Sequence, residues 1–574
     1  MALLDSKTLG AARLGFADEK DLDAFVDHLD RFERGELSPE AWKAFRLVNG
    51  VYSQRQDEAM MVRVKIPQGV LTPAQLRALA EVAERFSTGR GHVTTRQNVQ
   101  FHFIRLADTE KALATLAGAG LTTREACGNS VRNVTACPFA GASALEPFDS
   151  TPWAEAVTRH LLRGPLSASL PRKFKIAFGG CCGTDCVGAS FNDIGFLARR
   201  PDGRDGFRVT LGGGLATLRR SGILAHEFAP AEDVVEIAEA VVRVFNRTGN
   251  RKQRHKARLK FVIENIGPEA FLAEYRKERE TIRAEGGRKV QALPSAPPRS
   301  APSPRQRAPR PGFEEFVSTN VRAQRDPDYV AVTVRVPLGD LTTAQFRALA
   351  DIAEEFSEER EARMTIEQNV VLRFVRRAHL AWLHAALEAA DLAKPGARSV
   401  SDVTSCPGAF SCRLAVTQSR GMAAELTRAF EARPEVAARA PSLSIKISGC
   451  PNGCGQHYVA GIGLQGSVRK VQGRAVPQYH LYLGGAFGAE QASFGRLAAK
   501  VPARNVPEAV QRLIDLYHRD KRPGEPPEEF LARAEIGSLL SDLETLDQPR
   551  PEDFIDLGED KAFEVKLSEG ECAA

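Results

Sequence analysis

From Ile66 to Ser87 the chain reads IPQGVLTPAQLRALAEVAERFS. A short alternating run leads into Thr72-x-x-Gln75, the signature of a capping box, and apolar residues then recur at helical spacing as Leu76, Leu79, Val82, Ala83 and Phe86. A second alternating run, NVQFHFI, follows from Asn98. The pattern predicts a strand, a helix and a strand. It recurs at Val336 to Ser357, VPLGDLTTAQFRALADIAEEFS, identical at 14 of 22 positions without a gap. Here Thr342 and Gln345 form the capping box and NVVLRFV supplies the second strand. One inserted residue later the match resumes at Gln97-Asn98-Val99 against Gln368-Asn369-Val370, and again at VTACP against VTSCP. The chain is an internal duplication of large units, and pairing of the two copies into one mixed sheet is the expected central domain.

Between the copies lies RKVQALPSAPPRSAPSPRQRAPRPG, Arg288 to Gly312, too poor in apolar residues and too rich in proline to pack, which predicts a surface linker. At 574 residues, 43% hydrophobic and 26% charged, the remainder reads as ordinary globular protein. No run approaches the roughly 20 apolar residues of a membrane span, and Asp5 and Lys7 interrupt the N-terminus, so a cytoplasmic location is expected. The net charge of +6 is small for this length and gives no argument for nucleic acid.

A duplicated scaffold needs only one working copy of each part, so the differences between the halves point toward function. Arg63 is replaced by Thr333, Arg96 by Glu367 and His102 by Arg373. The second half instead carries ordered cysteines: Cys406 and Cys412 in SCPGAFSCRLA, and Cys450 and Cys454 in SGCPNGCGQHY. Two close pairs about forty residues apart can ligate one tetrahedral zinc or one [4Fe-4S] cluster. Zinc ribbons favour CxxC knuckles, and the wider spacings here suit a cubane better, with the surrounding glycines letting backbone N–H groups approach it.

TSCPGAFSCRLA together with SGCPNGCGQHYVAGIGLQG resembles the cluster signature of the sirohaem-dependent sulfite and nitrite reductases, and the resemblance covers nearly the whole chain, duplication included. It implies an α+β fold with a ferredoxin-like central domain formed from both halves plus two larger α/β cofactor-binding domains. The implied division is 1–50 as a helical extension, 51–120 as the first ferredoxin-like half-domain, 121–285 as a sirohaem- and anion-binding domain and 286–314 as the linker. The second half-domain spans 315–392, the cluster and sirohaem domain 393–520 and the tail 521–574. Cys406, Cys412, Cys450 and Cys454 match the family's cluster ligands, and Cys454 matches the one that also ligates the sirohaem iron. Arg63, Arg132, Lys173 and Lys175 fall on the basic residues around the bound anion. Arg96, Gln100, Arg172 and Asn452 fall on sirohaem contacts, and His92 stands where some relatives have a further cofactor-binding arginine.

The implied reaction is six-electron reduction of sulfite to sulfide by an assimilatory enzyme, with nitrite reduction to ammonia on the same cofactors as the alternative. Nitrite reductases of the family tend to have asparagine where this chain has Lys175, which favours sulfite. A precorrin-modifying oxygenase of the same family and a structural zinc protein are the more distant alternatives. No GxGxxG sits between a strand and a helix, so electrons must come from a separate protein, a ferredoxin or a flavoprotein reductase. Tyr52 and Cys127 fall on the positions that form a Tyr–Cys side-chain link in some sulfite reductases. Cys181, Cys182 and Cys186 lie where the first copy mirrors Cys450 and Cys454, and Cys137 mirrors Cys406. No cysteine mirrors Cys412, so this set reads as packing retained from the duplication, with a second cluster as the alternative. Cys572, near the end of the tail, is open to two readings, a mobile thiol or one folded back toward the site.

Overall fold

The fold is described from a computed structural model, which covers residues 15–181, 185–290, 308–488, 490–546, 548–565 and 570–571. Asp5, Lys7, Cys182, Cys572 and most of the expected linker lie outside the described residues.

The first half supplies β1 (Val51–Ser53), β2 (Ala59–Val64), β3 (Val70–Leu71), β4 (Arg90–Val93) and β5 (Val99–Arg105), then β6 (Thr135–Ala136), β7 (Ile176–Gly179), β8 (Ile194–Arg199), β9 (Gly206–Leu211) and β10 (Ile223–Pro230). The second half repeats the series as β11 (Val321–Ala323), β12 (Tyr329–Val334), β13 (Asp340–Thr342), β14 (Ala362–Met364) and β15 (Val370–Arg376), then β16 (Thr404–Ser405), β17 (Ile445–Ser448), β18 (Ile462–Val471), β19 (Arg474–Leu483) and β20 (Arg496–Pro502).

The central domain is ferredoxin-like and duplicated, but its sheet arrangement differs from the single mixed sheet expected. There are two five-stranded antiparallel sheets, ordered β1-β2-β5-β4-β13 and β11-β12-β15-β14-β3, and each borrows its last strand from the other half. The exchange has a local cause in the repeated turns Pro67-Gln68-Gly69 and Pro337-Leu338-Gly339. Both turns hold their middle and last residues at positive φ. A Cβ on Gly69 would stand 2.6 Å from the Met364 carbonyl of the other half, and one on Gly339 2.7 Å from the Val93 carbonyl. Only glycine lets the two backbones approach so closely while turning each short strand into its neighbour's sheet.

The helices that follow, Pro73–Phe86 and Thr343–Phe356, start at the predicted capping boxes, with Thr72 and Thr342 each accepting from the amide of the glutamine three residues on. Leu76, Leu79, Val82 and Ala83 are fully buried against Leu349, Ala350 and Ala353 in a core shared by both halves. Helices Glu19–Glu33 and Pro39–Val48 cover it through Phe25, Leu29 and Trp42. Burial of this continuous apolar face is what makes the halves inseparable.

The two larger units repeat one topology: parallel pairs β6–β7–β8 and β16–β17–β18, each continued by two antiparallel strands. Each has its own apolar core. The repeated Gln-Asn-Val motif joins them to the centre. The Gln97 side chain brackets Ala136, accepting from its amide at 3.0 Å and donating to its carbonyl at 2.8 Å. Gln368 accepts from Ser405 N at 2.9 Å and donates to the Val93 carbonyl at 2.8 Å. Among the described residues no helix is long and apolar enough to cross a membrane.

Candidate active site

One cavity, with about 1380 Å³ of empty space including its open mouth, lies where the central domain meets both larger units. Three groups of residues separated in sequence line it. Arg63, His92, Arg96, Gln100 and His102 come from β2, β4, β5 and the turn between them. Arg132, Lys173 and Lys175 come from the loops that enter β6 and β7. Cys406, Cys412, Cys450, Asn452 and Cys454 come from the loops that leave β16 and β17.

The arginines are held before any ligand arrives. Arg63 and Gln100 are directly opposite in the β2–β5 pair, and with the Gln100 amide oxygen turned to the guanidinium it accepts from Arg63 Nε at 2.8 Å. Arg63 also donates to the Ala126 carbonyl and the Cys127 sulfur, both at 3.3 Å, and its fork lies 5.5 Å from the centre of the Tyr52 ring. Arg132 donates to the Gly128 carbonyl at 2.7 Å and to the Tyr52 hydroxyl at 3.4 Å. Arg96 runs deeper, bonding Asn192 Oδ1 at 2.7 Å and the backbone carbonyls of Asn133 and Ile176. Fixed forks of this kind suit carboxylates and oxyanions.

Burial and crowding by like charges set the protonation of these groups. Burial pushes Arg96 down to about 9, with Arg132 and Arg258 adding to the effect against Asp193. Lys175 falls well below the usual amine value, first through burial and then through Arg96, Arg258 and Lys173. An ammonium so placed releases its proton more readily than a solvated lysine, and a bound anion would restore its affinity.

His92 is tied to the scaffold. Its Nδ1 is 3.0 Å from Asp340 Oδ1 in the partner strand β13, and its Nε2 is 3.1 Å from the Gln368 amide nitrogen. Burial lowers its pKa and favours the neutral ring. Burial alone would raise Asp340, but His92 and Arg420 hold its carboxyl well below the usual range. Arg172 is buried and is not among the residues lining the cavity.

The cysteine loops are shaped by close contacts. Cys406 Sγ receives the Gly449 amide at 3.3 Å and lies 3.3 Å from Ser419 Oγ. Gly455 N donates to Ser448 Oγ at 2.9 Å, and a Cβ on Gly455 would stand 1.9 Å from the Ile447 carbonyl. Thr95 Oγ1 donates to the Cys454 carbonyl at 2.7 Å, so the first half clasps the loop of the second. Cys450 is buried and Cys454 exposed toward the cavity. Burial raises the thiol pKa values of Cys406 and Cys450, so loading a metal must displace their protons. The donor set fits a [4Fe-4S] cluster beside a polyanionic tetrapyrrole by its chemistry, since four thiols and several fixed cations line the same cavity. Two buried nitrogens of the site, Arg96 Nε and His102 Nε2, have no protein partner.

Thr95, His102 and the tail residues Gly570 and Glu571 also line the cavity and were not singled out as site residues from the sequence. Thr95 and His102 carried a usable signal, since both differ from their counterparts Ile366 and Arg373 in the other half. The tail residues carried none. Glu571 is placed by Arg46, with Nη1 at 2.8 Å and Nη2 also donating, and by Ser53 N at 2.8 Å.

Comparison with known proteins agrees with this geometry. The nitrite and sulphite reductase 4Fe-4S domain matches residues 127–283 and 396–548, and the nitrite/sulfite reductase ferredoxin-like half domain matches 52–119 and 322–390. The ferredoxin–nitrite reductase of Leptolyngbya laminosa is 31% identical over 81% of this chain and 87% of its own. The assimilatory ferredoxin-dependent nitrite reductase of Haloferax mediterranei is 32% identical over 88% of each. The sulfite reductase [ferredoxin] of Mycobacterium tuberculosis is 30% identical over 83% of each. The solved structure of Mycobacterium tuberculosis NirA protein superposes with a TM-score of 0.74 at 27% identity, over 88% of this chain and 94% of that one. With both halves matched by both domain types, and with thiols and fixed cations lining one cavity, the chain belongs to the sirohaem-dependent nitrite and sulfite reductase family of oxidoreductases.

Proposed function

We propose that the chain reduces sulfite to sulfide, taking electrons from a ferredoxin, with Cys406, Cys412, Cys450 and Cys454 holding the cluster and Cys454 reaching the sirohaem iron. The observation that carries the substrate choice is the presence of Lys173 and Lys175 beside Arg63 and Arg132 in one cavity. Four cations suit an anion with more negative charge than nitrite. Ferredoxin as donor is supported by the names of the nitrite- and sulfite-reducing relatives alike. When bound, the coupled cofactors supply single electrons and the iron at which the anion is reduced.

The side chains supply orientation, charge and protons. Arg63 and Arg132, braced by Gln100 and by the 126–128 backbone, bind the oxyanion without reorganising. Lys175, with its weakened hold on a proton, delivers protons to the leaving oxygens, and Lys173 keeps the field positive as it does so. Arg96, Gln100 and Asn452 hold the tetrapyrrole, His92 keeps the β4 wall in place, and Arg172 acts from behind the lining. Tyr52 and Cys127 pack in one small cluster with Leu47 and Met61, which supports a Tyr52–Cys127 side-chain link. An intact mass two hydrogens short that survives reduction is the expected sign.

Nitrite reduction is the second reading, favoured by the names of the Leptolyngbya and Haloferax relatives. Steady-state turnover of both anions by the holoenzyme with a low-potential artificial donor separates the two. Sulfide formation that collapses in Lys175→Asn while ammonia formation persists is the expected outcome; dominant nitrite turnover by the unaltered enzyme would overturn the choice.

A further inference from the structure

Arg63 and Arg132 lean on one turn of backbone, and that turn is held by a buried ion pair to which the proposed function gives no task. Arg63 donates to the Ala126 carbonyl at 3.3 Å; Arg132 donates to the same carbonyl at 3.3 Å and to the Gly128 carbonyl at 2.7 Å. Both forks therefore take their aim from the segment 125–131. A shift of that backbone moves both at once.

Lys65 follows β2, two residues beyond Arg63, and gathers the two ends of the segment. Its Nζ donates to the Val131 carbonyl at 3.2 Å and lies 3.7 Å from Glu125 Oε2. The two side chains are 2% and 0% exposed. Glu125 Oε1 accepts from Arg163 N at 2.9 Å, whereas Oε2 has no hydrogen-bond partner and depends on the Lys65 charge. Glu125 itself stands at φ 58°, in the left-handed region, with its amide bonded to the Val48 carbonyl at 2.6 Å and its carbonyl accepting from Ser130 Oγ at 3.1 Å. A side-chain-bearing residue keeps such a conformation only where its surroundings over-determine it. Burial draws the Lys65 amine down to about 8 and Glu125 opposes the fall, which leaves the ammonium in place at neutral pH.

The second half keeps a cation at the same place. Arg335 is the counterpart of Lys65, and its guanidinium spans the Pro395 carbonyl at 3.1 Å and the Ser401 carbonyl at 2.5 Å. There Thr333 stands for Arg63 and Ser401 for Arg132, so the clamp has no anion-binding forks to serve. The duplicated scaffold supplies the clamp in both halves, and the first half alone mounts the pair of arginines on it.

We propose that Lys65 and Glu125 are positioning residues of the anion site: their ion pair fixes the 125–131 turn, through it the aim of Arg63 and Arg132, and so the affinity for the anion. The inference rests on the reading of those two arginines as anion ligands. Neither Lys65 nor Glu125 lines the cavity, so their effect passes through the carbonyls of Ala126 and Gly128. With the pair removed, the turn keeps the Ser130 hydroxyl on the Cys127 carbonyl at 2.6 Å and the Gly128 amide on the Tyr52 hydroxyl at 3.2 Å. It loosens without unfolding, and the ordering of two mobile forks then opposes anion binding. Electrons and protons come from other groups, so turnover of the bound anion is spared.

The test measures sulfite KM and kcat of the holoenzyme with an artificial low-potential donor. Removing one partner alone strands a buried charge, so the main variant is the double one, Lys65→Met with Glu125→Gln, which leaves none. Its sulfite KM is expected to rise about tenfold while kcat stays within about twofold of the unaltered enzyme. Glu125→Gln alone keeps the shape and the bond to Arg163 N, and a rise of about threefold is expected in it. A KM unchanged in either folded variant, with only Tm lowered, would overturn the inference in favour of a purely structural pair. Arg132→Gln tests the reading beneath it: if KM rises there and not in the double variant, the clamp is refuted and the anion site stands. If Arg132→Gln leaves KM unchanged, the anion-site reading falls and the clamp with it.

Discussion

The tail offers a quantitative test of how the cavity is closed. Glu571 and Arg46 form an ion pair whose side chains are only 6% and 8% exposed, and the same carboxylate accepts from Ser53 N at 2.8 Å. Replacing Glu571 by Ala leaves Arg46 buried with only the Val51 carbonyl at 3.1 Å and removes the partner of the Ser53 amide. Breaking a buried pair from one side costs about 3–5 kcal/mol. Glu571 belongs to none of the three large apolar cores, so the loss should appear as detachment of this segment rather than as global unfolding. Taking the lower figure, the detached state gains roughly a hundredfold in population. Hydrogen exchange read at the Ser53 amide should accelerate by that factor, while amides in the β2–β5 pair keep their protection. Because Gly570 and Glu571 line the cavity, the apo variant should also expose Tyr52 and Arg413 to solvent. An unchanged Ser53 exchange rate in a folded Glu571→Ala protein would refute the claim that this ion pair anchors the tail.

Three further outcomes are expected. Gly455→Ala must displace the Cys454 loop, because its Cβ would stand 1.9 Å from the Ile447 carbonyl, and the purified variant should show the loss of the iron–sulfur contribution to its visible spectrum and iron content. His102 is drawn by burial, with His92 and Arg420 adding, down to about 3 from an ordinary value near 6.5. The unfolded chain therefore binds the extra proton first as pH falls, and the neutral ring contributes stability above 6.5 that is lost toward 3; His102→Gln should flatten the acid limb of apo-protein stability in that window by up to one proton. For Lys175, whose amine is lowered, anion affinity should be greatest on the acid side of its pKa and fall as pH rises through it, and Lys175→Asn should remove that limb from the pH profile of sulfite KM.

How much was legible in the sequence depends on the range of each interaction. The capping boxes at Thr72 and Thr342 and the apolar spacing of Leu76, Leu79, Val82 and Ala83 are local, so they predicted both helices and their buried faces. The duplication, the four ordered cysteines and the difference between Arg63 and Thr333 were equally readable, because repeat and spacing are properties of the chain itself. Pairing partners were not. Two strand–helix–strand units are compatible with one sheet or two, and the choice was made by the close approach of Gly69 to Met364 and of Gly339 to Val93. Alternation fixes which face a residue takes but not which strand lies beside it.

The same division holds at the site. Sequence by itself determined the inventory: which cations, which thiols and which half supplies each. Tertiary structure decided their relations. It placed Arg172 behind the lining, gave His92 to Asp340 of the other half, and brought the Glu571 carboxylate some 500 residues back along the chain to Arg46 and Ser53. It also packed Cys137, Cys181 and Cys186 into one buried group. Residue type sets what chemistry a side chain can do, but charge, pKa and reactivity depend on neighbours within a few ångströms, and those neighbours are chosen only when the whole chain packs.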